Sequence, residues 1–385
     1  MDTLKSSACA LAVIAQLAAP AFAGPREQAK RIHDRIAGVP ANDAVLTQMA
    51  ADIASGPAGR LNAARTAMEH PAFYNVVLKN LVTPWTNREQ TVFAPLNDYT
   101  ATVIGMVRDD VPFNTALSDD ILYTSNAPGL PAYSQVNNDH YEQAEVRGVD
   151  LEATLVRTTQ SSLLGIPPAA TAGLMTTRAA SQAFFIDGTN RAMFRFTLMN
   201  HLCRDLDQVQ DTSRPPDRIR QDVSRSPGGD SRIFLNNCIG CHSGMDPIAQ
   251  AFAFYDFDET QNRLVYTGGA PNAKYFINAD NFKPGFVTPD DRWENYWRKG
   301  PNQLLGWDAG LTGSGSGAKS MGQELASSDA FARCQVEKVF KAVCFRAPVD
   351  AADRNAISTI TGVFRGGGYR MKQIFAETAV YCMGT

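Results

Sequence analysis

The chain has 385 residues, 44% of them hydrophobic and 19% charged, with a formal net charge of −3. That balance suits a globular protein with a real core, built as one large domain or as two or three ordinary ones. No long basic or acidic block occurs, which argues against nucleic acid or anionic lipid as a partner.

The first residues read as an export signal. Lys5 supplies the positive start, "ACALAVIAQLAA" the apolar segment, and Ala21 and Ala23 the small residues before a cut at Ala23–Gly24. The run is alanine-rich, ends in Pro20 and is shorter than the ~20 residues a membrane span needs. No second run of that length follows. The expected division is a signal over 1–23, an N-terminal helical region over 24–189 and a cytochrome c-like region over 190–385. Of seven cysteines, Cys9 leaves with the signal, and Cys203, Cys238, Cys241, Cys334, Cys344 and Cys382 remain. Outside the cytoplasm unpaired thiols do not persist, and an even number fits that setting.

Beyond the signal the expected elements are mainly helical. "REQAKRIHDRIAG" forms a short amphipathic helix. "GPAGRLNAARTAMEHPAFYNVVLKNLVTPW" divides into two helices, with Pro71 in the first turn of the second. Phe73, Val76, Val77 and Leu81 then share one face. "LNDYTATVIGMVRDDVPFNTAL" gives another helix, ended by Asp110 and Pro112. The stretch "LYTSNAPGLPAYSQVNNDH" is turn-rich and reads as irregular. "GTNRAMFRFTLMNHLC" is a helix whose Ala192, Phe196, Met199 and Cys203 pack into the core. "DSRIFLNN" is a short helix capped by Asp230 or Ser231. Further on, "YDFDETQNRLVYT" suits a small hairpin and "DAGLTGSGSGAKSMG" a flexible loop. Three helices close the chain, in "SSDAFARCQVEKVFKAVC", "AADRNAISTITGVFRG" and "YRMKQIFAETAVYC". The fold class is therefore mainly α, with long irregular connections and at most a small β-hairpin. If the last three helices run up, down and up, Cys344 and Cys382 close parallel helices at the same end. That pairs Cys344 with Cys382 and leaves Cys203 for Cys334, one of three connectivities open to four cysteines. Free buried thiols are the alternative.

The chemistry is concentrated in "NNCIGCHSGMDP". Cys238, Cys241 and His242 satisfy C-x-x-C-H, the attachment pattern for haem c. Two thiols add across the vinyl groups, and the next imidazole binds the iron as proximal ligand. Gly240 is expected to make room for the macrocycle. A redox dithiol calls for a βαβ setting, and a zinc knuckle for a second ligand pair nearby; neither is present. One motif means one covalently attached haem. Arg225 and Arg232 flank it and are candidates to neutralise a haem propionate, against the reading that both are solvated charges.

The second axial position separates a carrier from an enzyme. Met321, after the Gly/Ser stretch, is the candidate methionine ligand; its alternative is an apolar residue opening a helix. His140, in "NNDHYEQ", is a candidate distal ligand or base, against an ordinary surface histidine. Met245, Met371 and Met383 are lesser candidates, and His201 reads as packed beside Cys203. An open face admits peroxide or oxygen.

Across "RSPGGDSRIFLNNCIGCHSGMDPIAQAFAFYDFD" the sequence resembles the planctomycete-type, cytochrome c-like uncharacterised secreted proteins, whose pattern is C-x-G-C-H, then "MDP", then an aromatic-rich "AFxxxD". Weaker likeness extends over roughly residues 60 to 382. The resemblance implies a secreted haem c protein. The expected function is electron transfer with a periplasmic redox partner protein. The rivals are a haem c peroxidase or oxygenase and a structural protein stapled by haem. A bare carrier needs only ~100 residues, so the N-terminal region has a further job.

Overall fold

A computed structural model describes residues 23–186, 188–276 and 285–384; the expected export signal lies outside them except for Ala23. Helix α1 (Pro25–Ile36) starts on a proline, whose fixed φ suits a first turn, and buries Ala29, Ile32 and Ile36. Helix α2 (Asp43–Ala54), capped by the Asn42 side chain, and α3 (Pro57–Met68) pack with it.

The next helix departs from its expected face. It winds as a π turn over Phe73–Leu78 and returns to α geometry at α4 (Lys79–Val82). The wider turn rotates the side chains, so the core takes Phe73, Tyr74, Leu78 and Val82, while Val76 is left 48% exposed. Helix α5 (Asp98–Arg108), capped by Asn97, is buried from Asp98 to Val107. It ends as expected, with Asp110 at positive φ ahead of Pro112.

The stretch read as irregular carries structure. It holds β1 (Leu122–Ser125) and the start of α6 (Asp139–Val146). Then come α7 (Leu151–Thr154) and β2 (Leu155–Thr158), which runs antiparallel to β1 with Leu122 opposite Thr158. Next are α8 (Gln160–Leu164), α9 (Arg178–Phe184) and α10 (Arg191–Thr197), which continues as a π turn to Leu202. Helix α11 (Ser231–Ile233), capped by Asp230, a π turn over Phe234–Cys238 and α12 (Ile239–Ala249) form one helical segment.

Strands β3 (Tyr255–Asp258) and β4 (Arg263–Tyr266) make the expected hairpin. Strand β5 (Arg292–Glu294) pairs antiparallel with β6 (Ser314–Ser316), so the middle of the Gly/Ser stretch is strand where a flexible loop was expected, and its end opens a helix at Gly317. Its composition has a packing cause: a Cβ on Gly315 would sit 3.1 Å from the Trp293 indole. The chain is thus mainly α, with three two-stranded sheets among the described residues where at most one hairpin was expected.

Helices α13 (Gly317–Ala326), α14 (Asp329–Cys344), α15 (Ala351–Gly366) and α16 (Met371–Cys382) close the fold. Cys344 and Cys382, the last residues of α14 and α16, are joined with Cα atoms 5.6 Å apart. Cys203 is joined to Cys334 at 5.3 Å. Both pairings are those expected. Helices α1 and α3 pack on α16, and one apolar cluster runs from Ala29 to Met383, across the 189/190 boundary. A small second cluster joins Ile219, Val223 and Phe234, with Cys238 and Ile239 against it. Among the described residues no helix is long and apolar enough to cross a membrane.

Candidate functional site

The C-x-x-C-H residues lie where the π turn passes into α12. Single-turn π insertions recur at functional sites. Helical spacing places Cys238, Cys241 and His242 on one side. Cys238 and Cys241 are free and half-buried. Phe234 anchors the turn on Ile219 and Val223, while Leu235, three residues before Cys238, is 54% exposed.

One glycine is required by the packing of the segment. A Cβ on Gly244 would lie 1.9 Å from Nε1 of Trp297, so only glycine allows α12 to seat on that indole. Gly240 faces Gln210 and Thr212, and its carbonyl accepts the Asp211 N–H at 2.9 Å.

The histidine is held from behind. His242 Nδ1 lies 3.1 Å from Oδ1 of Asp246, one helical turn on. Asp246 is buried, and Arg191 grips both its oxygens at 2.7 and 2.9 Å. The same guanidinium grips Asp222 at 2.6 and 2.8 Å. The Arg220 backbone N–H reaches Asp246 Oδ2 at 3.4 Å, and its Nη2 donates to the Asp246 carbonyl at 3.2 Å. Burial alone opposes charge on Asp246. The Arg191 guanidinium, with His242, outweighs it and holds the carboxyl well below the usual range. An ionised carboxylate only accepts, so His242 Nδ1 is the donor to Asp246 and Nε2 is the ring nitrogen turned away from it. Among the described residues Nε2 has no hydrogen-bond partner.

The thiols do not resemble a redox pair. Burial, with Asp207 nearby, pushes the Cys241 thiol up, whereas redox dithiols depend on a lowered pKa. Cys241 Sγ instead donates to the Leu206 carbonyl at 3.5 Å. Among the described residues no three His, Cys, Asp or Glu side chains converge as a metal site, as a zinc knuckle requires. Two free cysteines and one imidazole share a single helix side beside a small apolar cluster, the set of side chains that haem c attachment calls for. No family model, curated protein or solved structure matches the chain.

The other expected site residues are placed as follows. Arg225 donates to the carbonyls of Val223 and Ile219 at 2.6 and 2.8 Å and lies over the Phe234 ring, so it braces the cluster beneath Cys238. Arg232 pairs with Asp230 and is 82% exposed, the solvated reading. His140 is corrected twice: it lies in α6, and both ring nitrogens are engaged. Nδ1 donates to the Pro131 carbonyl at 2.7 Å and Nε2 accepts the Ser125 N–H at 2.9 Å, so no lone pair remains for iron. Met321 is fully buried on α13 in the main cluster, as a packing residue is. Met245, Met371 and Met383 are buried in the same cluster. His201 accepts or donates to the Tyr99 hydroxyl at 2.7 Å and lies in the core, as read.

Sequence reading did not assign Asp246, Arg191 or Asp222. The signal for Asp246 was present, since His242-x-x-x-Asp246 is an i,i+4 pair on a helix. Arg191 and Asp222 carry no local signal, because they meet only in the fold.

Proposed function

We propose that the chain is an exported monohaem c-type cytochrome that exchanges electrons with a partner protein outside the cytoplasm. One observation carries this reading. The free thiols of the described residues flank a histidine whose Nδ1–H is fixed by a buried carboxylate and whose Nε2 is open. A haem held there supplies a one-electron iron couple. Cys238 and Cys241 hold it by adding each S–H across a vinyl C=C, sulfur to one carbon and hydrogen to the other. His242 Nε2 holds the iron. Two disulfides elsewhere support an oxidising compartment.

The haem peroxidase or oxygenase reading is the second, and the His242–Asp246 bond favours it. A carboxylate behind a metal-bound imidazole raises that ligand's basicity. The engaged state of His140 and the core position of Met321 favour it too. Protein made in a host with haem c maturation should be red and keep its pigment through acid–acetone extraction. The ferric spin state separates the two readings: low-spin for a carrier with two axial ligands, high-spin for an open face. Colourless protein with Cys238 joined to Cys241 overturns both.

A further inference from the structure

Helix α1 is tied to the rest of the molecule at two places, and no disulfide of the described residues reaches it. On one side Gln28, Arg31 and Arg35 donate to the carbonyls of Gly384, Met383 and Cys382 at 3.0, 3.1 and 2.5 Å. The two arginines thus sit at the C-terminal end of α16, where a helix favours cations. On the other side His33, only 2% exposed, lies edge-on to the His70 ring, with centroids 5.5 Å apart. His70 follows α3 and is half-buried. The link from α1 to α2 runs through Gly38, at a positive φ that glycine takes without strain.

Backbone bonds set the proton positions on both rings. His33 Nδ1 donates to the Val39 carbonyl at 2.8 Å, so a second proton on His33 goes to Nε2. His70 Nδ1 accepts the Ala72 N–H at 3.2 Å, so a proton there displaces that bond, at the start of the π turn over Phe73–Leu78. Two protonated rings in contact also repel. Burial, opposed by the bond to the Val39 carbonyl, holds the His33 pKa below its ordinary value. Of the charges around it, His70 opposes a second proton and Asp34, paired with Lys30, favours one. Among the described residues no charged group of α2, α3, α14 or α16, the helices packed on α1, acts on that ring.

We infer that α1 is a pH-operated clasp, released from the ends of α3 and α16 when His33 and His70 are both protonated. His33 stays neutral while α1 is docked and takes a proton freely once it is released. Docking is therefore full above about pH 6.5 and is lost as pH falls below it. None of these residues belongs to the C-x-x-C-H segment, so the clasp works whether or not haem is attached.

The test is hydrogen–deuterium exchange of the full chain at about pH 7.5, 6.5 and 5.5, corrected for the chemical exchange rate. One proton taken up on release raises the opening equilibrium about tenfold per pH unit below about 6.5. Peptides of α1 should therefore open about tenfold more at the lowest pH than at the middle one, while peptides of the buried α5 keep their protection. His70→Asn keeps an oxygen for the Ala72 N–H and takes no proton. It should cut that rise to less than about threefold, half a proton's worth, and leave α1 protected at the highest pH. A rise that His70→Asn leaves intact overturns the pairing of the two rings. The wild-type series decides the release without the variant: α1 exchange that is flat with pH overturns it, and so does α5 opening in step with α1, which is global unfolding.

Discussion

Asp246→Asn tests the buried network and the proposed iron ligand together. Arg191 and Arg220 face Asp222 and Asp246, two charges of each sign. The substitution leaves one positive charge in excess while keeping side-chain size and an oxygen for His242 Nδ1–H. Removing one partner of a buried ion pair costs about 3–5 kcal/mol. Arg191 keeps both bonds to Asp222, so the low end applies, about 3 kcal/mol. Against a typical stability of about 5–15 kcal/mol the variant stays folded, and urea unfolding should show the loss. A neutral amide accepts less strongly than a carboxylate, so His242 becomes a weaker base and the iron less electron-rich. The reduction potential should therefore rise, read by spectroelectrochemical titration. Asp222→Asn is the control, because it removes the same charge from the same arginine without touching His242. It should cost comparable stability and shift the potential less. Equal shifts in the two variants, or a potential in Asp246→Asn that is unchanged or lower, refute the claim that Asp246 acts through the imidazole.

The remaining expectations are briefer. Cys238→Ala with Cys241→Ala should release all pigment on acid–acetone extraction, and each single variant should retain it through one thioether, read by mass of the haem peptide. Replacing both members of a disulfide should cost, on loop entropy alone, about 4 kcal/mol for Cys344–Cys382 and about 5 kcal/mol for Cys203–Cys334, from separations of 38 and 131 residues. Urea unfolding that ranks them the other way counts against that account. Burial, with Lys338 nearby, holds the His201 pKa well below its ordinary value. The folded ring stays neutral while the unfolded one takes a proton below about 6.5, so stability is full above that pH and falls as pH drops beneath it. His201→Gln, which keeps an acceptor for the Tyr99 hydroxyl, should flatten the decline between pH 7 and 5. His33, also lowered by burial, leaves a residual slope.

How much of this was legible in the sequence depends on how local each cause is. The C-terminal helices follow from periodicity and Cys344–Cys382 from cysteines at helix ends, while Cys203–Cys334, with Cys334 inside α14, followed only as the pair left over. That Cys238, Cys241 and His242 share one helix side follows from their spacing alone. The π turn at Phe73–Leu78 was not legible, because one added residue per turn leaves composition unchanged and alters only which side chains face inward. The Gly/Ser stretch misled for the opposite reason. Its glycines look like chain entropy, but a Cβ on Gly315 would crowd Ser320 Oγ at 2.7 Å and the Trp293 ring at 3.1 Å. His140 misled because polar neighbours signal exposure, and the fold then supplied a carbonyl and an amide to saturate the ring.

The division of the cysteines is the strongest link between fold and proposed chemistry. In an oxidising compartment six thiols could pair completely, and a bond between Cys238 and Cys241 would block attachment. The fold pairs four of them: helix ends bring Cys344 to Cys382, and the turn after Leu202 brings Cys203 to α14. Exchange requires a thiolate, and its rate falls as the thiolate fraction falls. Burial and Asp207 keep Cys241 protonated, and its Sγ–H is tied to the Leu206 carbonyl. Cys238 and Cys241 stand apart from the two disulfides, and S–H is the form that addition to a vinyl group would consume. A redox dithiol needs the opposite setting, so the same electrostatics that slow disulfide exchange at Cys241 favour attachment over thiol redox chemistry.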